Sequence, residues 1–122
     1  MIAITRYPSS LPLPFSRATQ AGGFLFLSGQ IPMDAEGQVV KGDIRAQTTA
    51  ALDRIEETLA LAGATLKNVV RATVWLTDLA LFADFNEVYR ARFGGDFPSR
   101  STVQAQLAMG VDVEIEIQAY LG

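Results

Sequence analysis

The sequence contains no cysteine and no histidine among its 122 residues. The first absence excludes disulfides, thiolate nucleophiles and zinc sites built on thiolates. The second removes the Ser-His arrangement of acyl transfer and the commonest general base near neutral pH. Any catalysis must therefore rest on carboxylates, arginine, lysine, tyrosine, hydroxyls or the backbone. Charge is sparse as well. Only 19% of residues are charged and the net charge is −3, with no basic stripe to follow a phosphate backbone, so nucleic acid is not an expected partner. No apolar run nears the roughly 18 residues of a membrane helix. No basic segment followed by an apolar run opens the chain as an export signal would. The expectation is a soluble, cytoplasmic protein with no membrane partner.

What is present is apolar. Hydrophobic residues make up 49% of the chain, which favours a packed core over disorder at this length. One domain over residues 1–122 is expected. So high an apolar share in a small chain also points to surface buried against other subunits.

Met1 to Tyr7 is β-prone, and Pro8, Pro12 and Pro14 exclude helix from the loop that follows. Phe15 to Ala21 can extend, and Gly22-Gly23 reads as a hairpin turn. Phe24 to Gln30 carries bulky residues on both faces, which predicts a strand buried on both sides. Gly29 near its end marks either a bulge or a place where another group comes close to the backbone. Asp43 reads as the N-cap of a five-turn helix, with Ile44, Thr48, Ala51, Leu52, Ile55, Leu59 and Ala62 at helical spacing and Gly63 closing it. Gln47 falls off that stripe and reads as solvated surface.

Val69 to Leu76 alternates as a strand, with Val70, Ala72, Val74 and Leu76 on one side. Thr77 or Asp78 caps a second helix, ended by Gly94-Gly95. Its stripe of Phe82, Phe85, Val88, Tyr89 and Phe93 reads as core. Asn86, beside the stripe, could reach into a pocket, although helix surface is its default. Ser99 to Leu107 and Val111 to Leu121 complete the chain as strands. The last sends Glu114 and Glu116 to the face opposite Val113, Ile115 and Ile117. This order predicts an α+β chain, a single mixed sheet with two helices packed on one face. The other sheet face is left for a neighbouring subunit.

The chemistry centres on Phe97-Pro-Ser-Arg100 and Val113-Glu-Ile-Glu116. Arg100, at the mouth of a strand, is either a surface charge or a bidentate grip on a small carboxylate. Glu114 could act on water as a base. A hairpin about Met109 would set Arg100 opposite Gln118, four residues or about 13 Å from the level of Glu114. For the two to cooperate, the strands must not be a simple hairpin or the site must lie between subunits.

Several segments stand in a familiar order: Pro14-Phe-Ser16, Phe26-Leu-Ser-Gly-Gln-Ile-Pro32, Gly42-Asp43 with Gln47, Phe82 with Asn86-Glu-Val-Tyr89, Pro98-Ser-Arg-Ser101 and Val113-Glu-Ile-Glu116. Together they resemble the RidA/YjgF family of reactive-intermediate deaminases. The resemblance implies a chorismate-mutase-like fold assembled as a homotrimer with clefts between subunits. It places the last strand between two earlier ones, which would remove the distance objection. It implies hydrolysis of enamines and imines such as 2-aminoacrylate and 2-iminobutanoate to 2-oxoacids and ammonia, without metal or organic cofactor. By the same resemblance, Arg100 would hold the substrate carboxylate and Glu114, with Glu116 as rival, would handle the water. Ser28, Gly29, Phe15, Asn86 and Thr102 would line the cleft. Phe15 stands where the family has tyrosine, so one ligand-facing hydroxyl is missing, and Thr102 stands where cysteine is common. The alternatives are a non-catalytic trimer that binds or senses small carboxylates, and an RNA-directed role that the acidic chain disfavours.

Overall fold

The computed structural model describes residues 2–122; Met1, the first residue of the expected opening strand, lies outside them. In chain order the elements are β1 (Ile4–Pro8), β2 (Ser16–Ala21), β3 (Phe24–Leu27), α1 (Ile44–Leu61), β4 (Val69–Leu76), α2 (Phe82–Phe93), β5 (Ser99–Gln104) and β6 (Val113–Tyr120). The six strands form one sheet in the order β1-β2-β3-β6-β4-β5. Only β4 and β5 run parallel, as the helical crossover through α2 allows. β6 therefore lies between β3 and β4 and makes no hairpin with β5. Among the described residues no helix is long and apolar enough to cross a membrane.

The helices cover one face. Asp43 caps α1 by accepting from the Ala46 amide at 2.9 Å, and Gly63 turns the chain away at φ 72°, a conformation that strains most side chains. Ile55 and Leu59 of α1 and Phe85 of α2 close over Val74, Ile115 and Ile117, all essentially without solvent contact. Burial of each such side chain contributes about 1.5–3 kcal/mol. The alternation along β6 follows: Val113, Ile115, Ile117 and Ala119 face the helices while Glu114, Glu116, Gln118 and Tyr120 face away.

Four expectations are corrected, the first of them by this one-sidedness. β3 is not buried on both sides: Leu25 and Leu27 are core, but Phe24 and Phe26 are 43% and 39% exposed on the face without helices. There Phe24 lies 5.2 Å from the Tyr120 ring and 6.4 Å from that of Phe26. Val69, not Val70, turns inward at the start of β4, because the pairing with β6 slips between Val69 and Arg71. Phe82 is exposed in the first turn of α2, so the core stripe begins at Phe85. β5 ends at Gln104, short of Leu107.

Gln47 is the fifth correction. It is 4% exposed and closes a polar network. Its Nε2 donates to the Gly42 carbonyl at 2.9 Å and to Asp112 Oδ2 at 3.1 Å, and its Oε1 accepts from the Asp112 amide at 2.8 Å. Thr77 Oγ1 donates to Asp112 Oδ1 at 2.7 Å. The start of α1 is thereby fixed to the segment that leads into β6. Gln47→Ala strips partners from a buried amide and a carboxylate, and is expected to lower the unfolding free energy by about 2–3 kcal/mol. Urea denaturation measures this, and a change under about 0.5 kcal/mol would contradict the role.

Candidate functional site

Arg100 sits at the start of β5, opposite Ala72 of β4, and so points to the helix side. Its guanidinium carbon lies 4.7 Å from the ring centre of Tyr89, 5.3 Å from Phe85 and 5.6 Å from Phe82. Nη2 donates to Asn86 Oδ1 at 2.7 Å. The rings keep water from the cation and attract it through their faces, each contact contributing about 0.5–1 kcal/mol. One amide acceptor leaves most of the five-donor fork available to a planar anion. A cavity of about 250 Å³ opens beside it, lined by Asn86, Tyr89, Arg90, Phe97, Pro98 and Arg100. Thr102 follows two residues along the same face, partly buried and opposite Val74.

The other expected residues gather on the opposite side of the sheet. Between the Phe26–Gln118 pair and the Gln30–Ile115 bridge, β3 and its extension spend Leu27, Ser28 and Gly29 where β6 spends Glu116 and Ile117. That extra residue is a bulge. Gly29 is also a point of close approach: a Cβ added there would overlap the Glu114 carboxylate, whose Cδ is 3.0 Å away. Both readings of Gly29 therefore hold. The Ser28 hydroxyl donates to the Ser16 carbonyl at 2.6 Å and its amide to the Arg17 carbonyl at 3.1 Å, so Ser28 first of all ties the bulge to β2. Phe15, half exposed, adjoins Ser16.

Burial, and then the charge of nearby Glu116, hold the Glu114 carboxyl above the usual carboxylate range. Trp75, directly opposite Glu114 on β4 and on the same sheet face, forms part of its surroundings. Among the described residues, no three of His, Cys, Asp and Glu converge as a metal site would need.

Arg100 and Glu114 do not meet within one chain. The register Arg100–Ala72–Ile117 puts Arg100 two strands across and three residues along from Glu114. That is roughly 14 Å between Cα atoms, with the side chains on opposite faces. The strand order is the one the resemblance implied, yet it does not remove the distance objection. What the chain carries is two half-sites: Arg100, Asn86 and Thr102 on the helix side, and Glu114, Gly29 and Ser28 on the open side.

A protein-family pattern described as "Endoribonuclease L-PSP", the YjgF/RidA family, matches residues 9–121. The chain belongs to this family. It is 46% identical over 88% of its length to a RutC family protein of Pyrococcus horikoshii, 86% of which is matched. It is 37% identical over its whole length to a 2-iminobutanoate/2-iminopropanoate deaminase of Mus musculus, covering 91% of that protein. The solved structure of RidA from the Antarctic bacterium Psychrobacter sp. superposes with a TM-score of 0.86 at 34% identity, covering 94% of each chain. The family's fold is thus that of this chain, two helices on one mixed six-stranded sheet.

Reading the sequence missed three features of this YjgF/RidA site. Tyr89 and Phe82 fell within an aromatic stripe read as core; Tyr89 is core and Phe82 is exposed, and both also frame Arg100. The signal was present: Asn86 and Tyr89, at i and i+3, share a helix face. Trp75 gave no such signal, because its position beside Glu114 depends on cross-strand register.

Proposed function

We propose that the protein hydrolyses small 2-imino acids of the 2-iminobutanoate type to 2-oxoacids and ammonia, in clefts between the copies of a homotrimer. The observation that carries this reading is Arg100, a guanidinium shielded by three rings, partnered by one amide and facing a cavity. That is a site for a small carboxylate. The names of the mammalian relatives support the same chemistry. The net charge of −3 weighs against the ribonuclease named in the family description.

In the proposed reaction Arg100 holds the substrate carboxylate and aligns the iminium carbon. Water adds to that carbon, the C=N π pair moves to nitrogen, and Glu114 takes the proton that the water loses. The carbinolamine then collapses: Glu114 returns the proton to nitrogen, the C–N bond breaks as an oxygen pair forms the C=O bond, and the hydroxyl proton passes back to Glu114. One water is consumed and ammonia is released. Since the half-sites occupy opposite faces of each sheet, Arg100 of one copy works with Glu114 of the next. The Phe24, Phe26 and Tyr120 cluster gives the trimer an apolar surface to cover.

The test generates 2-iminobutanoate in situ and follows 2-oxobutanoate release above the uncatalysed rate. No acceleration by the wild type would end the deaminase reading for this substrate. A 2-oxoacid that raises Tm through Arg100 without turnover would support instead a carboxylate-binding trimer, which the missing Phe15 hydroxyl favours. The pH profile gives a sharper expectation. The base must be ionised, so activity is lost as pH falls through the Glu114 pKa, and that acid limb lies above the usual carboxylate range. Removing the neighbouring charge with Glu116→Gln should move the limb to lower pH. An unmoved limb, or loss of activity in Glu116→Gln alone, would transfer the role to another group.

A further inference from the structure

The cavity beside Arg100 is walled by more than the proposed reaction uses. Asn86, Tyr89 and Arg90 stand at i, i+3 and i+4 on α2 and form one patch facing the Phe97-Pro98 segment and Arg100. Asn86 is committed to Arg100. The other two are not committed. The Tyr89 hydroxyl is buried and has no hydrogen-bond partner, although Tyr89 as a whole is 4% exposed. Burial raises its pKa, while the charge of Arg100 and the approach of its guanidinium to the hydroxyl oppose that rise; the geometry of that approach falls short of a hydrogen bond. An unmade bond of this kind is destabilising unless something in the cavity completes it. Arg90, among the described residues, forms no ion pair, its charge reaching Glu87 only from beyond ion-pair distance, whereas Arg45 and Arg92 on the same helical layer each bridge two carboxylates. Two guanidiniums thus border one small cavity with no carboxylate lining it. An anion there would meet both charges, and two cations beside a buried hydroxyl exceed the needs of one carboxylate.

We infer that this cavity is a second anion subsite, and that the chain acts on or binds small dicarboxylic 2-imino acids and their 2-oxo counterparts. Arg100 takes the carboxylate next to the imine carbon, Arg90 takes the distal one, and the Tyr89 hydroxyl donates to the ligand between them. This rests on the proposed role of Arg100 as the first anchor. It adds the class of side chain that the substrate carries. Position 90 then sets specificity without touching the reacting carbon, since a charged group on one rim favours ligands that offer it a counter-charge.

The experiment compares 2-iminosuccinate and 2-iminoglutarate with 2-iminobutanoate, each made in situ, as a ratio of kcat/KM. In the wild type the dicarboxylic imines should be preferred about tenfold, the scale of one charge-assisted contact. Arg90→Ala should abolish the preference and Arg90→Glu should invert it; Tyr89→Phe should raise KM. An unchanged ratio in both Arg90 variants overturns the inference. Thermal shifts with 2-oxoglutarate and 2-oxobutanoate separate this from the deaminase reading. If the wild type turns over none of the imines, a 2-oxoglutarate shift that exceeds the 2-oxobutanoate shift and vanishes in Arg90→Ala still supports the subsite. Equal shifts overturn it. Arg90 is exposed, so its replacement leaves the core intact.

Discussion

Arg100→Ala is expected to lower kcat/KM for 2-iminobutanoate by about two to three orders of magnitude, with most of the loss in KM. A bidentate carboxylate grip is two charge-assisted hydrogen bonds, each contributing about 1.5–3 kcal/mol when formed away from bulk water. The carboxylate does not change during water addition, so the grip holds ground state and transition state alike and its loss reads chiefly as weaker binding. Arg100→Lys keeps the charge but loses the planar fork and the stacking on Phe82, Phe85 and Tyr89. It should recover less than about a tenth of the lost activity. Steady-state kinetics on the three proteins decides this. A wild-type KM in Arg100→Ala would return Arg100 to the surface-charge reading. Loss of the three ring contacts should lower the stability of Arg100→Ala by about 1.5–3 kcal/mol, so the kinetics are read where the variant is shown to be folded. Among the described residues Arg100 makes no salt bridge, and Asn86 is partly exposed and can turn to water.

The elements were legible because their periodicities were. β6 alternates strictly, α1 repeats its apolar positions at helical spacing, and the glycines at 63 and 94 fall where the backbone turns left-handed. The misreadings share a cause. Phe24 and Phe26 are as hydrophobic as any core residue, and only the number of layers decides whether that face is covered. A single chain covers one. Val70 was placed on the wrong side by a slip in strand register, which composition does not record. Gln47 was read as surface because amides usually are. Its burial required Asp112, 65 residues away, to supply both a donor and an acceptor.

The site was half legible for a related reason. Arg100, Glu114, Ser28, Gly29 and Asn86 could be named from their motifs, yet motifs carry no information on which sheet face receives them. Arg100 counts its face from β4, by parallel pairing; Glu114 counts its own from β3 and β4, by antiparallel pairing. Only the assembled order β3-β6-β4-β5 shows that the two counts end on opposite sides. Gly29 was the most informative residue, because its missing side chain makes room for the one carboxylate that the chemistry requires.

That opposition leads to the second large effect. If Arg100 and Glu114 act from different copies, Arg100→Ala and Glu114→Ala chains should each be nearly inactive alone and should restore one another when mixed. Every interface in a cyclic trimer joins one copy's Arg100 half to the next copy's Glu114 half. In a random one-to-one mixture, each half of a site is intact with a chance of one in two. About a quarter of all sites are then wild type in both halves; in mixed trimers alone one interface of three is, so about a third of wild-type kcat should return once they are isolated. Co-expressing the two variants with distinct tags and purifying through both isolates the mixed assemblies, and light scattering checks their size. Recovery to this level would require a cleft between copies. No recovery, with assemblies shown to be mixed, would mean that the sites work within single chains. The 14 Å separation and opposed faces would then have to close by rearrangement of the sheet, which a core of fully buried Ile115, Ile117 and Val74 resists.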